Sequence, residues 1–146
     1  MAPITTTVEV ERPADKVFAY ATDPTLFHEW QQGVVDGHLD RVGPPTVGAL
    51  CRTTRRIGGA NRTSTAKLVR LDPPAAWGVR GIDGPIRANV DVTVEPVTAH
   101  RSRLTITVDF DGHGIGKLLV PLIVRRAARN EMPSNVARLK QRIEQR

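Results

Sequence analysis

Residues 8–34, VEVERPADKVFAYATDPTLFHEWQQGV, pass through three elements in quick succession. Val8 and Val10 alternate with Glu9 and Glu11, the two-residue period of a half-buried strand that reaches back through residues 4–7. Pro13 fits the first turn of a helix, where its missing N–H is not needed, and Val17, Phe18 and Ala21 recur at helical spacing. Asp23-Pro24 stops that helix and starts another, with Asp23 as N-cap and Pro24 in first position. Leu26, Phe27 and Trp30 make the apolar side of this second, short helix, and Gly33 ends it. The chain has only two Trp, one Tyr and three Phe, so the pairing of Phe27 with Trp30 stands out. Phe27 reads as a core filler. Trp30 reads equally as core or as pocket wall, because its indole N–H seeks a partner.

After Gly33 the pattern changes to strands and turns. Strands are expected over 34–42, 48–57, 61–71, 76–82, 86–95 and 102–110, separated by GPPTVG, GGAN, DPPA, DGP and VTAH. VDVTVEPV and LTITVDF alternate cleanly, and short strands joined by tight turns form an antiparallel meander. The last stretch is helical. Met132, Val136, Leu139 and Ile143 fall on one face, while Pro133 is expected to kink or break the helix. The order is strand, two short helices, six strands, long helix. Only the last helix is large enough to cover one face of a seven-stranded sheet, so the class is α+β in one domain over 1–146.

Bulk properties exclude several functions. No apolar run approaches the roughly 20 residues of a membrane-spanning helix. The start, MAPITTTVEVER, lacks a basic region followed by an apolar stretch, so no signal peptide is read and a cytoplasmic location is expected. The lone Cys51 excludes an internal disulfide and a cysteine-based zinc site. The net charge of +6 resides in the tail: from Lys117 onward eight Lys/Arg face only Glu131 and Glu144. A second basic stretch, Arg41, Arg52, Arg55, Arg56, Arg62, Lys67 and Arg70, contains no acid. Without interleaved aromatics, these stripes read as solvated faces, and no nucleic-acid partner is expected. A monomer or homodimer fits equally.

The ordered set VEVERPADKVFAYATDPTLFHEWQQGV, VGALCRTTRR, LVRLDPPAAWGV, VTVEPV, SRLTITVDF and NVARLKQRIE resembles the START/polyketide-cyclase (SRPBCC) superfamily over nearly the whole chain. The resemblance implies the helix-grip fold, a seven-stranded curved antiparallel sheet wrapped around a long C-terminal helix. It implies a hydrophobic pocket between them, closed at one end by the short helices that carry Phe27 and Trp30. The superfamily contains lipid carriers, receptors, aromatases and cyclases, so fold alone does not select a function.

Alternation assigns the inward residues. Cys51, Thr53 and Arg55 are taken as inward, although the opposite face of that strand fits nearly as well. Trp77, Val79, Val90, Val92, Val94, Leu104, Ile106 and Val108 complete an apolar wall, and Leu122 and Arg125 are expected from the helix. Most of the wall is Val, Ala, Thr and Gly, which leaves space for a hydrophobic small molecule such as a lipid or polyketide-like compound. Trp30 and Trp77 would contact its apolar body, and Arg55 or Arg125 a polar end. For Arg125 the favoured alternative is solvent, if Pro133 shifts the helix phase.

The alternative is a cyclase, aromatase or dehydratase, which needs a pocket group to move a proton. His28, His38 and Asp109 are the candidates, with Arg55 stabilising an enolate oxygen. No two histidines share a metal-ligand spacing, and no metal or cofactor is read. DGHGIGKL fails the phosphate-loop pattern and reads as a flexible lead-in to the last helix. A third reading has the basic last helix docking on an acidic partner, a membrane or nucleic acid.

Overall fold

The computed structural model describes residues 2–146. The elements follow in the order β1 (Ile4–Val10), α1 (Ala14–Ala21), a short 3-10 helix (Pro24–Glu29), β2 (Val34–Leu39), β3 (Leu50–Ile57), β4 (Ala60–Asp72), β5 (Ala76–Gly81), β6 (Ile86–Thr98), β7 (Arg101–Gly112), α2 (Gly116–Leu119) and α3 (Arg125–Glu144). A π-helical stretch, Val120–Val124, joins α2 to α3, so the C-terminal helix is unbroken from Gly116 to Glu144. The seven strands form one antiparallel sheet in the order β1-β7-β6-β5-β4-β3-β2. β1 therefore lies on the edge opposite β2, and α1 with the short helix carries the chain between those edges.

The local reasons match the opening motif. Asp23 caps the short helix, its Oδ1 accepting from the Thr25 N–H at 2.9 Å and the Thr25 hydroxyl at 2.7 Å. Pro13 sits one residue outside α1, as its cap. Gly37 of β2 lies directly against Pro24, and a Cβ there would overlap the Pro24 carbonyl. That absence of a side chain lets the short helix press onto the sheet.

Register defines the two faces. Val8 is opposite Leu104 and Ile4 opposite Val108; Val94, Val92 and Val90 are opposite Leu104, Ile106 and Val108; Trp77 and Val79 are opposite Val92 and Val90. All lie on the concave side, where Met132, Val136, Leu139 and Ile143 of α3 join the same core. Val10, Leu104 and Leu139 are fully buried there.

α3 runs through Pro133 instead of breaking at it. Pro133 is exposed, so the Arg129 carbonyl it leaves unbonded can meet water, and packing of the flanking Met132, Val136 and Leu139 holds the helix together. The far end of α3 is tied down. Lys140 Nζ donates to the Glu9 carbonyl at 2.7 Å, and the Glu11 N–H donates to Glu144 Oε2 at 2.8 Å. Arg12 donates to the Glu144 carbonyl, and the Gln32 N–H donates to Asn135 Oδ1 at 3.0 Å.

Candidate functional site: the concave face

The concave side differs from one end to the other. Near the short helices it is sealed. Phe27 meets Trp30 edge-to-face with centroids 5.9 Å apart and Trp77 with centroids 6.3 Å apart, closing the interior with three aromatic rings. Trp30 is only 3 % exposed, and its Nε1–H is buried without a hydrogen-bond partner. Such a group is costly, by about 1–3 kcal/mol, unless something accepts from it. Trp30 is thus both core and a donor waiting inside the core.

Toward the other end, inward-facing residues become small and reachable. Cys51 is opposite Ala66, Ala66 opposite Gly81, Gly81 lies beside Ala88, and Ala88 is opposite Phe110. Thr53, Arg55, Ala66, Gly81, Ala88, Val90 and Phe110 all face the helix side, yet each is only partly buried. Across from them α3 offers Ala128 and Met132, also partly buried. These inward side chains are only partly covered, so this part of the concave face is more accessible than the aromatic end.

Arg55 is the charged group of this face. Its Nη2 donates to Gln31 Oε1 at 2.6 Å, which links β3 to the loop after the short helix. Burial pushes the guanidinium below its ordinary pKa, opposed by the charge of Glu131 and, more weakly, by Cys51. Arginine remains protonated even so, since its unperturbed value is so high. Cys51 is buried, and that burial pushes its thiol up, opposed by Thr53, whose Oγ1 is 4.0 Å from the sulfur, and by Arg55. Cys51 is therefore an unreactive thiol in the wall.

The structure sorts the residues expected from sequence. Cys51, Thr53, Arg55, Trp77, Val79, Val90, Val92, Ile106 and Val108 share the concave face, and Trp30 closes its end. Leu122 does not join them. It lies in the π-helical stretch and is 65 % exposed, because the wider turn changes the phase of the helix there.

Arg125 is neither in solvent nor free to meet a ligand. It is buried, donates to Asp109 Oδ1 at 2.8 Å, and also donates to the Ala2 carbonyl. Asp109 lies between the inward Val108 and Phe110, so it points to the outer face, where its carboxyl is held below the usual range by the Phe110 N–H and then by Arg125. His38 is opposite Arg52 on the outer face, its side chain 52 % exposed with Nδ1 3.5 Å from Asp36. His28 is exposed on the short helix. Of the four catalytic candidates, only Arg55 faces the interior.

Two contributors were missed. Gln31 orients Arg55, and no pattern in the sequence marks it. Asn135 is buried and joins α3 to Gln32, and its position three after Met132 on the inward stripe was a usable signal. Among the described residues no three His, Cys, Asp or Glu side chains gather as a metal site, and no helix is long and apolar enough to cross a membrane. A surface groove of about 520 Å³ lies elsewhere, between β1 and α3, and includes Thr6, Val8, Pro133, Ala137 and Lys140.

A curved antiparallel sheet closed over a C-terminal helix, with an apolar concave face, defines a helix-grip protein of the START/polyketide-cyclase class. The chain belongs to the family described as polyketide cyclase / dehydrase and lipid transport, whose model matches residues 1–144. Solved structures share the fold at low identity. The Zhui aromatase/cyclase from a Streptomyces species superposes with a TM-score of 0.80 at 17 % identity, over 99 % of this chain and 94 % of that one. A START superfamily protein from Mycobacterium smegmatis gives 0.79 at 14 % identity, over 99 % of both chains. The di-domain ARO/CYC protein BexL gives 0.75 at 20 % identity over 99 % of this chain. The chain spans 47 % of BexL, about half its length. No curated protein matches the sequence.

Proposed function

We propose that the protein binds a hydrophobic small molecule, lipid or polyketide-like, between the concave face and the C-terminal helix. The observation that carries this reading is the row of inward-facing, partly accessible residues from Thr53 and Arg55 across Ala66, Gly81 and Ala88 to Phe110. A purely structural interior would cover these positions. The apolar body of the ligand would lie along Val79, Val90 and Val92, toward Trp77. An oxygen on the ligand would be met by Arg55, and the Trp30 N–H is a second donor available within the core. The family description and the helix-grip neighbours support a ligand of this kind.

Native mass spectrometry of freshly purified protein, followed by organic extraction, tests the reading. A co-purified mass released on denaturation is expected. A clean unliganded mass, with no stabilisation by a panel of lipids and aromatic polyketides, would overturn it.

A second reading, polyketide cyclisation or dehydration, is favoured by Arg55 alone. An inward guanidinium can stabilise an enolate oxygen. The proton transfers also need an acid or base, and His28, His38 and Asp109 stand outside the interior. The half-buried Tyr20–Glu29 pair, 2.8 Å apart, joins α1 to the short helix under Arg146. Turnover of a linear poly-β-ketone that vanishes in Arg55→Gln would establish this reading over simple binding.

A further inference from the structure

The start of the C-terminal helix exposes an unusual surface. Ile115, Leu118, Leu122 and Ile123 are 66, 61, 65 and 59 % exposed, and Pro121 between them is exposed too. These are large aliphatic side chains standing out from one short stretch, not scattered singly over the molecule. The backbone beneath them is firmly seated. Gly116 lies so close to Pro85 that a Cβ would overlap the Pro85 carbonyl, and the His113 N–H donates to that same carbonyl at 2.8 Å. The apolar residues are therefore presented by a fixed platform.

Lys117, Arg126 and Arg129 flank the apolar group and are exposed. None of the three has an ion-pair partner among the described residues, and no acidic residue occurs between Asp111 and Glu131. The surface is convex, since it is the outside of a helix, so it offers no groove to receive a peptide. Protruding aliphatics ringed by cations match an anionic bilayer, where the side chains enter the acyl boundary and the cations meet headgroups. A second copy fits less well. A two-fold contact would bring each cationic set against its own equivalent.

We propose that residues 115–129 dock the protein on the surface of a bilayer containing anionic lipids. The stretch stands beside the Ile86 end of β6 and the Gly112 end of β7, the same end at which Ala88 and Phe110 are accessible. A docked protein would hold that end of its concave face toward the lipid. The docking itself needs no cargo and stands apart from the ligand-binding reading.

Cosedimentation with vesicles of mixed phosphatidylcholine and phosphatidylglycerol, compared with phosphatidylcholine alone, tests it. Binding to the mixed vesicles at least about tenfold tighter than to the neutral ones is expected, falling with added salt. Changing Lys117, Arg126 and Arg129 together to Gln should weaken binding on the order of 100-fold, since each cation near such a surface contributes about fivefold. Leu118→Ser with Leu122→Ser should weaken it by about tenfold or more. All five positions are exposed, so the fold is retained. A second measurement places an environment-sensitive dye on Leu122→Cys, which is selective because the native Cys51 is buried. A blue shift with mixed vesicles and none with neutral ones is expected. Absence of binding and of any shift overturns the proposal, as does binding that survives both sets of substitutions. A dimer in sedimentation equilibrium that the Leu118/Leu122 variant disperses, without vesicle binding, would assign the surface to a second copy instead. Arg55→Gln should leave vesicle binding unchanged, which separates this outcome from failure of the ligand-binding reading.

Discussion

On the inner apolar surface Arg55 is the charged group and Trp30 carries the unpartnered donor. Arg55 is held by a single neutral acceptor, Gln31, which orients its guanidinium without neutralising it. An anionic end on a ligand would complete the pairing. The prediction is a contrast between two probes of similar shape. Anilinonaphthalene sulfonate should bind Arg55→Gln about 10- to 100-fold more weakly than the native protein, the range of a lost charge-assisted hydrogen bond. Its uncharged analogue, phenylnaphthylamine, should bind both equally. Quenching of Trp30 and Trp77, the only tryptophans, reads the binding. Equal loss for both probes would mean that Arg55 shapes the wall and does not contact the anion.

Tyr20 offers a second test at this scale, as the only tyrosine. Burial, then its hydrogen bond to Glu29, raises its pKa to about 12. Absorbance of tyrosinate should therefore rise only near that pH in the folded protein. The linked stability is fully present below the ordinary tyrosine pKa of about 10 and is lost as pH rises through the folded value. Glu29→Gln should bring the titration to lower pH.

Among the elements, the C-terminal helix was the hardest to read from sequence. Its inward stripe was legible from Met132, Val136, Leu139 and Ile143. Its continuity was not, because Pro133 faces water and tertiary packing overrides its local cost. Pro133→Ala should restore the missing helical hydrogen bond and raise stability by about 1–3 kcal/mol in urea unfolding. The burial of Arg125 was equally hidden, since its partners Asp109 and Ala2 lie 16 and 123 residues away in sequence. Asp109→Ala leaves Arg125 buried without its carboxylate and should destabilise by about 1–3 kcal/mol, less than a fully buried pair because Asp109 is itself 42 % exposed. The depressed carboxyl sets the sign with pH. The pair's contribution is present above the ordinary carboxylate range and disappears as pH falls through the lowered value, so wild type and variant should converge in acid. The outward direction of Asp109 was available earlier, because assigning Val108 inward already turns its neighbour away. For β3 no such argument existed. Its two faces are equally mixed in Cys51, Thr53, Arg55 and Leu50, Arg52, Thr54, and only the short helix packed on Gly37 decides between them.

At the scale of the whole molecule, the meander and the closing helix were readable because alternation and turn residues agree along most of the chain. The asymmetry of the interior was not, since it depends on how the helix lies over the folded sheet, which no local pattern encodes. That asymmetry predicts a linkage. A ligand present at about 100 times its dissociation constant should stabilise the fold by about 2.7 kcal/mol and raise the melting temperature by about 6–10 °C. Calorimetry of the protein before and after organic extraction measures the difference, and identical melting curves would speak against bound cargo.

The strand order also bears on synthesis. β1 is made before the other six strands, yet among the described residues it pairs with β7 alone, with Ile4 opposite Val108 and Val10 opposite Ser102. Its other anchors, Lys140 and Glu144, come later still. A ribosome therefore extrudes an unpaired strand and must go on through β7 before that strand has a place. β2 to β6 can pair with neighbours as they emerge, but the sheet cannot gain its last edge until the end. Nascent chains stalled before β7 should thus expose Val8 and Val10 to chaperones, and slow translation should prolong that exposure without giving the first strand anything to fold against.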